Sequence, residues 1–178
     1  MNESPVSGIS GAGLIENFLT PKLESLMMER IEEGEWNFVR ERWIQQYGWR
    51  YDFRHRSISA GDSLESPKFV SWLWEQLSSM ELVNANYALV ESYAPNDEGS
   101  LDIRGNCFAP TACVLALGGA RDYELYLGES SRIVTVSRCS LLVLRGRVEF
   151  CRHPMDSISN ESKRHLSVTC RPVREILL

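Results

Sequence analysis

Apolar residues along this 178-residue chain change their spacing near Asn86. Before that point they recur at helical intervals. Thr20-Pro21 opens the first helical pattern, because threonine caps a helix and proline is tolerated at its first position. Leu23, Leu26, Met27 and Ile31 then form one apolar stripe, and Gly34 is placed to end it. Ser66-Pro67 repeats the start signal, with Phe69, Val70, Leu73, Trp74, Leu77 and Met80 as the buried face of a second helix. Between the helices, residues 35–65 are aromatic and read as extended. Tyr47-Gly48-Trp49 reads as a turn entering a strand in which Trp49, Tyr51 and Phe53 alternate with Arg50, Asp52 and Arg54. Beyond Asn86, short runs bounded by Gly, Pro, Asn or Ser predict strands at 86–93, 111–117, 123–127, 132–136, 141–145, 147–151 and 165–171. Two helices followed by many short strands predict a mostly β jelly roll with the helices packed on one sheet. Residues 1–13, rich in Ser and Gly, read as a flexible lead. Residues 14–178 read as a single domain, with helices within 14–80 and a β core over 86–171.

Bulk properties narrow the function classes. Apolar content of 43% and charged content of 24% are ordinary for a globular chain. No apolar run approaches the roughly 20 residues of a membrane-spanning helix. The net charge of −5 argues against a dedicated nucleic-acid binder, which carries a basic face. Met1 to Gly13 contains no Arg or Lys, so neither a secretory signal nor a transit peptide is visible there. Five cysteines (Cys107, Cys113, Cys139, Cys151 and Cys170) form no CxxC pair and lie mostly in apolar runs. They read as reduced, buried thiols of an intracellular protein, and the ligand spacings of structural zinc are missing.

The chemistry-bearing pattern lies in the second half. Tyr93-Ala-Pro is followed by Ser140-Leu-Leu-Val-Leu-Arg-Gly146, by Phe150-Cys-Arg-His153, and by Arg164-His-Leu-Ser-Val-Thr-Cys-Arg171. Over roughly residues 14–174 this layout resembles the AlkB-type dioxygenases, and its ending is most similar to the short mitochondrial branch. The resemblance implies a double-stranded β-helix behind N-terminal helices. It also implies Fe(II) held by two histidines and a carboxylate, with open positions for 2-oxoglutarate and O2.

The chain departs from that pattern at the metal. No histidine lies between His55 and His153, so the expected His-x-Asp pair has no His. Counted forward from Tyr93, Asp102 falls at the first ligand position and Arg104 at the second. Counted back from Leu117-Gly118, Asp102 falls at the carboxylate position and Ser100 at the histidine. Both registers stay open. His153 matches the distal histidine and reads as a vestigial ligand or as a neutral core histidine. The co-substrate pocket departs too. The Arg expected to fork onto the 2-oxoglutarate carboxylate is His165, because Arg164 is out of phase on the strand. The pocket Asn falls at Glu91, an anion. Tyr93 and Arg171 match.

These departures imply a catalytically inactive AlkB-like module that serves as a structural or accessory subunit of a larger assembly, with no cofactor expected and other protein subunits as partners. The mitochondrial setting comes from the resemblance alone. One alternative is an active oxygenase that takes Fe(II) and 2-oxoglutarate on a remodelled set of Asp102, His153 and His165 or His55. Another is a non-catalytic RNA-binding module that uses the mixed aromatic and arginine stretch from Trp49 to Arg56. For that stretch the simpler reading is aromatic residues inside and arginines in solvent. The aromatics of residues 35–53 and Ile176-Leu-Leu178 are candidate docking surfaces.

Overall fold

A computed structural model describes residues 2–59, 61–93, 107–152 and 165–174. In chain order the elements are β1 (Ser4–Pro5), β2 (Ala12–Ile15), α1 (Pro21–Glu32), β3 (Asn37–Val39), β4 (Arg42–Trp49), β5 (Ser63–Leu64) and α2 (Lys68–Ser79). Then follow β6 (Tyr87–Tyr93), β7 (Thr111–Leu117), β8 (Arg121–Leu127), β9 (Ser130–Val136), β10 (Leu141–Arg145), β11 (Glu149–Arg152) and β12 (His165–Arg171). The large sheet runs β1-β2-β10-β7-β12-β6-β4-β3, with β5 also paired to β4. A smaller sheet runs β11-β8-β9. Every pairing is antiparallel. The result is the expected jelly roll with both helices on one face of the large sheet.

The helices pack on that face because its central side chains are apolar. Met27 and Ile31 of α1, and Val70, Leu73 and Leu77 of α2, bury against Ala88, Val90, Cys113, Leu115, Leu117, Leu141, Val143, Leu166, Val168 and Cys170. On the opposite face, Ala112, Val114, Ala116, Leu142 and Leu144 meet Tyr123, Leu125 and Val136 of the smaller sheet. A third cluster gathers Ile44, Tyr51, Phe53, Tyr87, Leu89 and Phe108 at one end of the roll.

The helix starts differ in detail. Thr20 caps α1, its hydroxyl accepting from Leu23 N at 3.3 Å. The stripe on α1 is displaced from the predicted one. Leu23 and Leu26 are exposed, and Glu24 is fully buried in their place. The reason is a polar partner: Glu24 accepts from Gly118 N at 2.9 Å and from Arg138 Nε, tying α1 to the turns after β7 and β9. Gly34 does follow the helix, but as a point of close approach. A Cβ there would press on the Gln45 amide and the Tyr47 hydroxyl of β4. In α2 the cap position is Pro67, and no side chain caps it.

Two further expectations are corrected. Trp49, Tyr51 and Phe53 do not form a strand, because β4 ends at Trp49 and the chain then turns, with Asp52 bridging to Ser57. The alternation of burial holds even so, with Tyr51 and Phe53 inside and Arg50, Asp52 and Arg54 outside. The stretch read as a flexible lead joins the sheet through β1 and β2, with Ile9 buried and Glu3 paired to the Arg145 guanidinium.

Candidate functional site

Side chains alternate across a strand, so β12 divides its residues between two environments. Leu166, Val168 and Cys170 face the helices. His165, Ser167, Thr169 and Arg171 face the interior of the roll, and the first three are buried. Strand β6 divides the same way, with Tyr87, Leu89 and Glu91 inward. In register, Ser167 lies opposite Glu91, His165 opposite Tyr93 and Arg171 opposite Tyr87. On the other side of β6, Ile44 of β4 lies opposite Glu91. The smaller sheet adds the buried Arg121 and Tyr123. The antiparallel ladder thus brings polar groups from four strands into a space closed by apolar side chains.

Glu91 is the charged residue of β6 and is 2% exposed. Its Oε1 lies 3.8 Å from Nη1 of Arg42, itself only 11% exposed. The electrostatic reach of this carboxylate is visible on its neighbours. Burial, and then the Glu91 charge, push the Tyr87 hydroxyl well above its ordinary pKa. The same two causes raise Tyr123, while Arg121 and a hydrogen bond with Ser167 act in the opposite direction. The Tyr87 hydroxyl donates to Gln46 Oε1 at 3.1 Å. Thr169 Oγ1 is fully buried and has no hydrogen-bond partner among the described residues.

The other pocket positions are engaged in packing. The His165 ring lies against Gly119 in the turn between β7 and β8, where a Cβ would overlap the imidazole. The Arg171 guanidinium sits over the Phe108 ring, 5.0 Å from its centroid, and donates to the Ala109 carbonyl at 3.2 Å. Asp102, Arg104 and His153 lie outside the described residues, as does Arg164. His55 sits on an exposed turn with its Nδ1 2.6 Å from Asp52 Oδ2, whereas His165 is buried, so these two candidate ligands occupy separate environments. In the Trp49–Arg56 stretch, Tyr51 and Phe53 are buried and meet edge to face, and Tyr51 also packs against Phe108, which removes both rings from base stacking. Of the aromatics read as docking candidates, Phe38 and Trp43 are 61% and 47% exposed and pack together at 5.1 Å on the β3–β4 hairpin.

No protein-family model matches the sequence, and no curated protein does. Solved structures do match. The structure of OsALKBH1 superposes with a TM-score of 0.73 at 13% identity, covering 96% of this chain and 100% of that one. This chain has an AlkB-like 2-oxoglutarate/Fe(II) oxygenase fold. An oxidoreductase of the 2OG-Fe(II) oxygenase family from Burkholderia pseudomallei gives 0.63 at 10% identity, over 90% of this chain and 83% of that one. A prolyl-4-hydroxylase from Pseudomonas putida gives 0.60 at 18% identity, over 92% and 93%. At these identities the likeness carries the fold.

Among the described residues, those on the inner face of this AlkB-like roll are a poor match for a dianionic co-substrate. A buried carboxylate, Glu91, already stands on the wall, and a second carboxylate brought beside it meets like-charge repulsion in a low-dielectric space. Arg171 is turned onto Phe108 and Ala109. His165, held against Gly119, is a single ring without the two-pronged fork of an arginine.

Several residues of this cluster escape a reading by motif. Ser167 and Thr169 were within reach, since they are in phase with His165 and Arg171 on an alternating strand. Arg42 and Arg121 carry no local signal. They become interior only through the pairing of β4 with β6 and the closure of the smaller sheet over the larger.

Proposed function

We propose that this chain is a catalytically inactive AlkB-like domain that serves as a structural or accessory subunit of a larger protein assembly. The observation that carries the reading is the Glu91 carboxylate buried on the inner wall beside Arg42. A side chain of that charge disfavours a dianion at that wall, and its cost of burial is met only by staying paired. The outer surface supports the second half of the reading. Leu23, Leu26, Phe38 and Trp43 leave large apolar side chains in solvent, and clustered aromatic surface of this kind is typical of a protein contact.

The test has two parts. Anaerobic calorimetric titration of the purified chain with Fe(II), or Mn(II) as surrogate, and 2-oxoglutarate is expected to show no binding below about millimolar, an interaction weaker than roughly 4 kcal/mol. No succinate should form above the enzyme-free control. Micromolar binding of both, with succinate released, would overturn the inactive reading. For the accessory role, the tagged chain should co-purify with a defined set of subunits, and Phe38→Ser with Trp43→Ser should weaken that association without lowering the melting temperature. Unchanged association would move the contact elsewhere on the surface.

A further inference from the structure

Glu91 occupies an unusual place for a carboxylate. It stands mid-way along a central strand, with β12 on one side and β4 on the other, and Ser167 and Ile44 are its two cross-strand neighbours. Isolated in such a place, an ion costs on the order of several kcal/mol in lost hydration. A neutral glutamine or asparagine of similar shape would avoid that cost. The cost is tolerable here because the surroundings are built for an anion. Arg42 lies 3.8 Å away and is nearly as buried. Arg121, Tyr123 and Ser167 surround the same interior, and the Thr169 hydroxyl points into it with no hydrogen-bond partner among the described residues. These groups make a lining compatible with an anion, and the carboxylate among them belongs to the chain itself.

We infer that Glu91 is an intramolecular occupant of the roll's anion pocket, holding Arg42 in the role that a small carboxylic acid would otherwise fill. This rests on the reading of the domain as inactive and adds a cause to it: the pocket is filled by one side chain and keeps its capacity for anions. Removing the Glu91 carboxylate leaves Arg42 buried without this partner and opens a space of carboxylate size. An external carboxylate then restores the missing charge. The chemical class of ligand that the emptied pocket takes is a mono- or dicarboxylate small enough to enter the roll.

The experiment uses the full chain with Glu91→Ala and with the isosteric Glu91→Gln, without metal. Unfolding midpoints are measured in acetate, propionate, succinate or 2-oxoglutarate, each against chloride at matched ionic strength. Glu91→Ala is expected to be less stable than the parent in chloride and to regain stability in millimolar carboxylate, while the parent shows no carboxylate-specific change. In calorimetry, Glu91→Ala should bind succinate or 2-oxoglutarate at least about tenfold more tightly than the parent, a gain of about 1.4 kcal/mol, whereas Glu91→Gln, which fills the same volume, should not. Adding Arg42→Met should abolish that gain. Should Glu91→Ala fail to fold in chloride, its refolding yield in acetate against chloride gives the same answer, and Glu91→Ser, which vacates the same space, gives it independently.

No carboxylate-specific stabilisation, refolding or binding in Glu91→Ala or Glu91→Ser overturns the inference and leaves the inactive reading standing. Micromolar binding of 2-oxoglutarate by the unmodified chain overturns both.

Discussion

Along β12 and β6 the two faces of the large sheet are buried to a similar depth, yet their chemistry differs. On β12 the helix-facing residues are Leu166, Val168 and Cys170, and the inward ones are His165, Ser167, Thr169 and Arg171. On β6 the pair Ala88 and Val90 contrasts with Tyr87 and Glu91. The helix-covered face of these two strands is held chiefly by volume and shape. The inner face carries hydroxyls, imidazole, guanidinium and carboxylate into a space where each incurs a desolvation cost. Along β12 and β6 this buried polarity is concentrated around the Glu91 carboxylate. The helix face holds the roll together, and the inner face carries its buried polar chemistry.

The sharpest way to test that division is to damage the helix face. Leu115 is fully buried, with Leu141 and Val168 as its cross-strand neighbours. Leu115→Ala should destabilise the fold by about 2–5 kcal/mol in urea unfolding, the range for a leucine cavity that cannot collapse. A loss under about 1 kcal/mol would mean that the helices sit loosely on the sheet. Next in size is the clamp on α1. Glu24 is fully buried and Arg138 is about 43% exposed at the side chain, so Arg138→Met strands a carboxylate whereas Glu24→Gln keeps an acceptor for Gly118 N. Arg138→Met should cost about 1–3 kcal/mol, the low part of the range for buried pairs because the arginine is half in water. Glu24→Gln should cost less, and the reverse order would show that the Gly118 contact carries the clamp. Val168→Thr places a hydroxyl among apolar neighbours and should cost about 1–3 kcal/mol as well.

Much of this division was legible in the amino-acid order. The seven strands expected after Asn86 all form, each within three residues of its expected limits, because turn residues punctuate short apolar runs. The inward placing of His165 and Arg171 followed from the family resemblance combined with strand alternation. Local pattern misled where tertiary contact decided the outcome. Leu23 and Leu26 sit at good helical spacing, but α1 is rotated so that Glu24 can reach Gly118 and Arg138. Ser4 to Ile15 has turn-rich composition, yet its backbone completes the edge beside β10. The Glu91–Arg42 contact joins residues 49 positions apart through a sheet pairing, and nothing in either neighbourhood announces it.

The thiols give a weaker contrast that depends on pH. Cys113 and Cys170 are cross-strand neighbours on the helix face. Burial pushes the Cys113 thiol up to about 12 and raises Cys170 further. A group whose folded pKa is raised stabilises the fold below its unfolded pKa, near 9, and that contribution is lost as pH climbs toward the folded value. Unfolding free energy should therefore fall between about pH 9 and 12, with a slope of at most about 1.4 kcal/mol per pH unit for each thiol. In the Cys113→Ala, Cys170→Ala double variant that part of the slope should vanish, while the contribution of the buried tyrosines remains. Equal slopes would show that the thiols ionise without unfolding the sheet.

The smallest effect is the most discriminating, because it sits one residue from Val168 and on the other face. Thr169→Val exchanges a hydroxyl for a methyl at constant shape. The Thr169 Oγ1 has no hydrogen-bond partner among the described residues, so removing it relieves a desolvation cost and gives up no protein contact. The fold should change by less than about 1 kcal/mol, toward greater stability. A hydroxyl is therefore costly to add at position 168 and nearly free to remove at 169, and the sign of the pair reads directly which face was built for packing. A loss above about 2 kcal/mol for Thr169→Val would mean that the hydroxyl holds a bound molecule inside the roll. The inner face would then be an occupied site, and the same measurement repeated in Glu91→Ala would show whether that molecule sits in the anion pocket.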